Sequence, residues 1–149
     1  MTGAACVIAV LIVVGLGLFG CSIGPPSGLG VSEGRLAPCP ESPNCVSSQS
    51  ESSRHAIAPF QLRTSPEAAI TDLRDIIESM KGVRLVTVFE RYLHAEFRSA
   101  LFRFVDDLEC VVDEAEGVVH VRSASRFGYW DFGVNRRRVE TIRIAFEKR

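Results

Sequence analysis

The stretch of sequence that decides the fold is residues 83–123, VRLVTVFERYLHAEFRSALFRFVDDLECVVDEAEGVVHVRS. It is rich in β-branched and aromatic residues, and in Tyr92–Arg98 apolar and polar side chains alternate, which is typical of strands with one buried face. Four strands are predicted: Val83–Glu90, Tyr92–Arg98, Phe102–Val112 and Val118–Ser123. A bulge is expected at Asp106-Asp107, and a turn at Asp113–Gly117 joins the last two strands. Because short connections join antiparallel neighbours, the sheet is predicted to be antiparallel.

One helix is predicted on each side of these strands. The first begins at Ser65-Pro66-Glu67, which supplies an N-cap hydroxyl, a proline at the first helical position and an acid, and it ends at Lys81-Gly82. Asn135 is expected to cap a second helix that extends to about Glu147. The apolar stripes of the two helices are Ala69, Leu73, Ile76, Ile77 and Met80, and Val139, Ile142 and Phe146. The predicted fold class is α+β, a four-stranded antiparallel sheet with two helices packed on one face.

The first twenty residues indicate membrane attachment. Ala4–Gly20 is a run of 17 apolar or small residues that ends in Leu18-Phe19-Gly20-Cys21, and this end resembles a bacterial lipobox. The resemblance implies that a signal peptide, residues 1–20, is removed and that Cys21 becomes a lipidated N-terminus carrying fatty acyl chains such as palmitate. The alternative is an uncleaved anchor, since 17 residues lie at the short limit for a spanning helix.

Composition divides the rest of the chain into a linker and one domain. Residues 21–35 are expected to form a flexible linker, and residues 36–149 a single α+β domain whose start, to about residue 60, is irregular. With 17 Lys and Arg against 18 Asp and Glu, the 149-residue chain is not predicted to bind nucleic acid. We expect a cell-envelope protein anchored to the membrane by lipid and facing the periplasm or the exterior, in the outer membrane if the organism has one.

The cysteines are consistent with an oxidising compartment. Cys39 and Cys45 flank a turn-rich loop, and a disulfide between them is the simplest interpretation. Two free thiols are one alternative. A metal site is another, but five intervening residues are not the usual zinc spacing, so no metal is predicted. Cys110 lies in a strand pattern and is expected to be buried.

Two motifs are the most distinctive feature of the domain. CPESPNCVSS at residues 39–48 and RSASRFGYWDFGVNRRR at residues 122–138 resemble the hallmarks of domain-of-unknown-function family 1499. The resemblance extends from about Leu36 to Phe146. It implies membership of that family and no particular activity.

Charge is unevenly distributed near the second motif. Residues 106–116 contain six acids and no base, whereas residues 122–149 contain eight bases and three acids. One interpretation is that the basic helix packs near the acidic hairpin. The other is an anion pocket, because guanidinium groups, hydroxyls and a helix N-terminus favour phosphate or carboxylate ligands. Its candidate residues are Arg122, Ser123, Ser125, Arg126, Tyr129, Asp131, Asn135 and Arg136.

These patterns favour a binding module over an enzyme. The expected partners are the membrane, through the lipid anchor, and an anionic small ligand, a lipid headgroup or an envelope protein. The alternative is a small hydrolase or transferase that uses a Ser or Cys of Pro43–Ser48 with a strand histidine. No catalytic residue and no cofactor is assigned, because none of the histidines His55, His94 and His120 has a local nucleophile signature.

Overall fold

The computed structural model of the protein describes residues 28–149 and has an α+β fold, as predicted. The two helices are α1 (Pro66–Glu78) and α2 (Val134–Phe146). The strands are β1 (Cys45–Ser47), β2 (Phe60–Gln61), β3 (Val83–Phe89), β4 (Tyr92–Arg98), β5 (Val105–Asp113) and β6 (Val118–Ser125). The predicted signal peptide, the lipidation site Cys21 and the first part of the linker, residues 21–27, lie outside the described residues. Within residues 28–149, no helix combines the length and the apolar character needed to cross a membrane.

The sheet has six strands rather than the four predicted. The order is β1-β6-β5-β4-β3, every pair is antiparallel, and β2 also pairs with β6. The two extra strands are three and two residues long, too short to show an alternating pattern, and both lie in the segment predicted to be irregular. They form because the outer edge of β6 offers unpaired backbone groups that β1 and β2 satisfy.

Strand β5 differs from the prediction in where it begins and in its regularity. The strand begins at Val105, so Phe102 and Phe104 belong to the preceding loop, which we name the β4–β5 loop (Ser99–Phe104). The bulge expected at Asp106-Asp107 is absent, because β5 is in continuous register with both neighbours. The irregularity in the sheet lies instead in β3, between Leu85 and Thr87.

Both helices pack on one face of the sheet and form the core with it. Ser65 caps α1 by accepting a hydrogen bond from the Ala68 backbone N–H, as the sequence predicts. The predicted apolar stripe of α1 is buried except for Met80, which is partly buried. The core residues contributed by the strands come mainly from alternate positions, such as Leu93 and Ala95 in β4 and Leu108 and Cys110 in β5.

The start of α2 corrects a prediction. Asn135 does not cap the helix but lies inside its first turn, completely buried. The N-cap residue is Gly133, and Asp131 supplies the capping hydrogen bonds, since its two carboxylate oxygens accept from the backbone N–H groups of Gly133 and Asn135, both at 2.9 Å. Gly133 has a φ of 74°, a conformation that glycine adopts at little cost.

The predicted disulfide between Cys39 and Cys45 is present, and Cys110 is a free, buried thiol, as expected. The bridge joins the first residue of β1 to the preceding loop. Burial raises the pKa of Cys110, so this thiol stays protonated.

Candidate functional site

The outer face of the sheet, opposite the helices, is made of buried charged side chains. It carries His94 and Glu96 from β4, Asp107 and Glu109 from β5 and Arg122 from β6, all less than 10% exposed. Charges so deeply buried must be paired or hydrogen-bonded, because their removal from water costs several kcal/mol each.

Arg126 is the centre of the first of two ion-pair clusters on this face. Its guanidinium donates to Glu96 Oε1 at 2.7 Å and forms a bidentate pair with Asp107 at 2.7 and 2.8 Å. His94 Nε2 lies 2.8 Å from Asp107 Oδ1, and Arg84 binds the other oxygen of Glu96 at 2.7 Å. Burial acts to raise the pKa of both carboxyl groups, but hydrogen bonds from Arg84 and Arg126 to Glu96, and from Arg126 and His94 to Asp107, outweigh it and lower both pKa values.

Glu109 is the centre of the second cluster. Its carboxylate accepts hydrogen bonds from the Tyr92 hydroxyl at 2.8 Å, the Gly30 backbone N–H at 2.8 Å and Arg122 Nη1 at 3.3 Å. Burial and the negative charge of Glu109 raise the pKa of Tyr92, which therefore remains a hydrogen-bond donor. Arg122 Nε is buried and has no acceptor among residues 28–149.

The residues predicted to line an anion pocket are divided between the two faces of β6. Arg122 and Arg126 reach the carboxylates of the outer face, whereas Ser123, Ser125 and Asn135 form a network on the helix side. Side chains alternate along a strand, so neighbours in sequence point to opposite faces. The two arginines and the hydroxyl groups thus do not form one cluster.

The remaining predicted residues have separate positions. Asp131 supplies the capping hydrogen bonds of α2, and Arg136 donates to the backbone carbonyls of Ala56 and Arg54 at 2.9 and 3.2 Å. Tyr129 is exposed and lines a cavity of about 1040 Å³ between residues 28–55 and the loop before α2. Ligand binding by these eight residues stays a prediction.

The basic helix is expected to pack near the acidic hairpin. One contact agrees with this expectation, the ion pair between Arg138 of α2 and Asp106 of β5 at 2.6 Å.

A second cavity, of about 610 Å³, concentrates positive charge. We call it the basic cavity; its charged lining residues are Lys81, Arg84, Glu96, Arg98 and Arg103. The acid among them, Glu96, is already bound by two arginines. Within the described chain, Lys81, Arg98 and Arg103 form no ion pair, so three cations remain available for an anion.

A serine–histidine contact lies at the opposite side of the sheet. Ser48 Oγ is 3.1 Å from His120 Nδ1, and Glu116 and Asp113 lie 3.4 and 4.0 Å from His120 Nε2. The same histidine and carboxylates place their ligand atoms within 4.8 Å of one another, close enough for a divalent cation. Ser48 Oγ also accepts the Val121 backbone N–H at 2.9 Å.

A family model described as "Protein of unknown function (DUF1499)" matches residues 35–146, three quarters of the chain. The chain belongs to the DUF1499 family. The match covers the basic cavity, the serine–histidine contact and, apart from the Gly30 backbone N–H, both ion-pair clusters of this DUF1499 domain. Searches of curated proteins and of solved structures gave no match.

The sequence analysis did not identify the basic cavity of the DUF1499 domain. Its bases come from four parts of the chain, namely the turn after α1, strand β3, strand β4 and the β4–β5 loop. The sequence contains one signal for it, Phe102-Arg103-Phe104, in which a base lies between two aromatic residues. This short alternation also suits a half-buried strand, and the sequence therefore predicts a strand there.

Proposed function

We propose that this protein is a membrane-anchored domain of the cell envelope that binds an anionic group, a phosphate or a carboxylate, in the basic cavity. The observation that carries the proposal is that four bases and one already neutralised acid surround a single cavity. Arginine forks are well suited to phosphate and carboxylate, with which they form two parallel hydrogen bonds.

Two observations support the position outside the cytoplasm. The leader and Cys21 resemble those of lipoproteins, and the disulfide between Cys39 and Cys45 is of a kind that persists in oxidising compartments. Lipidation is tested by labelling cells with radioactive palmitate. We expect label on the wild type and none on Cys21→Ser, whereas an intact mass that retains Met1 would contradict the lipoprotein.

Anion binding is tested by titrating the full chain, in a neutral detergent, with inorganic phosphate and glycerol phosphate. Removing Arg98 and Arg103 (Arg98→Gln with Arg103→Gln) should weaken binding at least about tenfold, since a hydrogen bond to a charged group contributes roughly 1.5–3 kcal/mol. Arg91→Gln is the matched control, because Arg91 is also exposed to solvent but pairs with Glu114 in the hairpin turns at the other end of the sheet. Equal weakening by the control would refute a site in the basic cavity.

The serine–histidine contact supports a second candidate, a hydrolase with Ser48 as nucleophile. Ser48 lies within hydrogen-bond distance of His120, and His120 lies near carboxylates. A histidine held in this way between a serine and a carboxylate can activate the serine hydroxyl as a nucleophile. Cys45 is a weaker candidate because it is in the disulfide.

The hydrolase is tested with a fluorophosphonate probe on the full chain. Ser48 should be labelled, and both Ser48→Ala and His120→Gln should abolish the labelling. Ser47→Ala serves as the control for a neighbouring buried hydroxyl. A wild-type chain that does not react removes this candidate.

A further inference from the structure

One end of the sheet carries a concentration of exposed large apolar side chains. They come from the β4–β5 loop and from the loop between β6 and α2 (residues 126–133), which lie side by side because Arg126 donates its backbone N–H to Val105. We call this set the aromatic rim: Leu101, Phe102, Phe104, Phe127, Tyr129, Trp130 and Phe132, each between 46% and 87% exposed. Contiguous exposed apolar surface of this kind marks an interaction site, since single exposed residues are normal but clusters are not.

Five of the seven rim residues have a ring contact within the rim. The rings of Phe102 and Phe104 are 5.5 Å apart, those of Phe104 and Phe127 5.6 Å, and those of Tyr129 and Trp130 5.4 Å. The rim therefore contains two groups of packed rings at the same end of the sheet. Tyr and Trp are the residues that favour the interface between lipid and water, and Phe and Leu insert below it.

Charge at this end complements an anionic surface. The basic cavity lies next to the rim, because Ser99, Ala100 and Arg103 of the β4–β5 loop form part of its wall. Of the acids nearby, Glu96 is paired with two arginines, and the carboxylate of Asp131 accepts hydrogen bonds from two backbone N–H groups. Each base held close to anionic lipid contributes about 1 kcal/mol.

The path of the chain brings the membrane to this end. Gly28, the first described residue, lines the same cavity as Tyr129. Cys21 lies seven residues earlier, and a fully extended chain of that length covers at most about 25 Å. A bilayer that holds Cys21 is consequently within reach of the aromatic rim.

We infer that the aromatic rim inserts into the interface of the anchoring bilayer and that the basic cavity then faces the phosphates of anionic lipid headgroups. This inference rests on the proposed membrane anchoring. The occupant is a lipid surface, chosen over a protein partner for two reasons. The exposed apolar residues and the bases of the basic cavity lie at one end of the sheet, and Gly28, seven residues after Cys21, lines a cavity together with Tyr129 of the rim.

Trp130 is the only tryptophan of the chain, so intrinsic fluorescence reports on the rim directly. The full chain is reconstituted in vesicles of phosphatidylcholine with phosphatidylglycerol, and flotation first verifies that it is anchored. We then expect the emission maximum of Trp130 at a shorter wavelength than that of free tryptophan in buffer. The fluorescence should be quenched by lipids brominated in the acyl chains and protected from quenching by aqueous acrylamide.

Phe→Ser substitutions at two places distinguish the rim from the rest of the surface. Phe102→Ser with Phe104→Ser should reduce quenching by brominated lipid, and Phe89→Ser should not, because Phe89 is 71% exposed but lies at the opposite end of the sheet. Arg98→Gln should weaken the preference for anionic over neutral vesicles about fivefold, the change that corresponds to about 1 kcal/mol.

The outcomes distinguish this inference from the proposed function. Anchored protein whose Trp130 remains quenched by acrylamide and untouched by brominated lipid overturns the inference, leaves the anchoring intact and favours a protein partner for the rim. Protein that does not float with the vesicles overturns both. Insertion that is equal in neutral and anionic vesicles overturns the headgroup contact.

Discussion

The two faces of the sheet are both buried, but their chemistry is opposite. The face under the helices is mainly apolar, with Leu93, Leu108 and Val121 fully buried. The outer face buries carboxylates, histidines and arginines in two ion-pair clusters. Apolar burial is non-directional and contributes about 1.5–3 kcal/mol for each large side chain. A buried charge, in contrast, is stable only with its particular partners.

The same strands supply both faces, which makes their register strict. In β5, Asp107 and Glu109 reach the outer face while Leu108 and Cys110 reach the core. A slip of one residue would place carboxylates against the helices and leave arginines unpaired. The charged face thus specifies the alignment of the strands more strongly than apolar alternation alone.

The largest effect is expected from breaking the ion-pair cluster. Arg126→Met leaves Glu96 and Asp107 buried without their main partner, and we expect a loss of about 3–5 kcal/mol in the free energy of unfolding, measured with urea at pH 7. Arg84 is another partner of Glu96, and the Arg84 side chain is 65% exposed. Arg84→Met should therefore lower the free energy of unfolding by less than about 1 kcal/mol. Similar losses in the two variants would mean that burial does not decide the strength of these pairs.

A smaller effect is expected on the apolar face. Leu108→Ala creates a cavity beneath the helices and should cost about 3 kcal/mol in the same measurement. Ile144→Ala is the control, since this side chain of α2 is 57% exposed and its loss should change stability by about 0.5 kcal/mol or less. If the control cost as much as Leu108→Ala, burial of the side chain would not determine the size of these losses.

The smallest effect is a difference in acid sensitivity between the two faces. Because the pKa values of Asp107 and Glu96 are lowered by their partners, their contribution is fully present above the ordinary carboxyl pKa near 4 and is lost as pH falls through the folded values. The wild type should therefore lose stability from pH 6 to pH 3.

Arg126→Met should be less sensitive to acid than the wild type. Without the guanidinium, fewer hydrogen bonds oppose the effect of burial, so the pKa values of both carboxyl groups should rise and the variant should lose less stability than the wild type over this range. Urea midpoints for both chains across this range provide the test. Parallel curves would show that these carboxyl groups have ordinary pKa values.

Local signals accounted for the elements that the sequence predicted correctly. Ser65-Pro66 determines the start of α1, and the alternation in Tyr92–Arg98 gives β4 with the bounds observed. The disulfide between Cys39 and Cys45 followed from a short loop and the expected compartment. Each of these depends on residues that are close in sequence.

The site could not be predicted in the same way. Lys81, Arg98 and Arg103 meet at the basic cavity because β3 and β4 pair antiparallel, which brings the end of one beside the start of the other. Phe102 and Phe104 have the spacing of residues on one face of a strand. They lie in an exposed loop only because β5 begins after them, at Val105. Asn135 is a good cap residue, but Asp131 supplies the capping hydrogen bonds.

The sequence by itself determined the α+β class, the antiparallel pairing, the disulfide and membership of the DUF1499 family, because composition, periodicity and short motifs act over a few neighbouring residues. Tertiary structure alone decided which charges pair across the outer face, which bases share a cavity and which aromatic residues remain in solvent. Those outcomes depend on strand register and on where the sheet ends, and both are set by contacts between residues far apart in the chain.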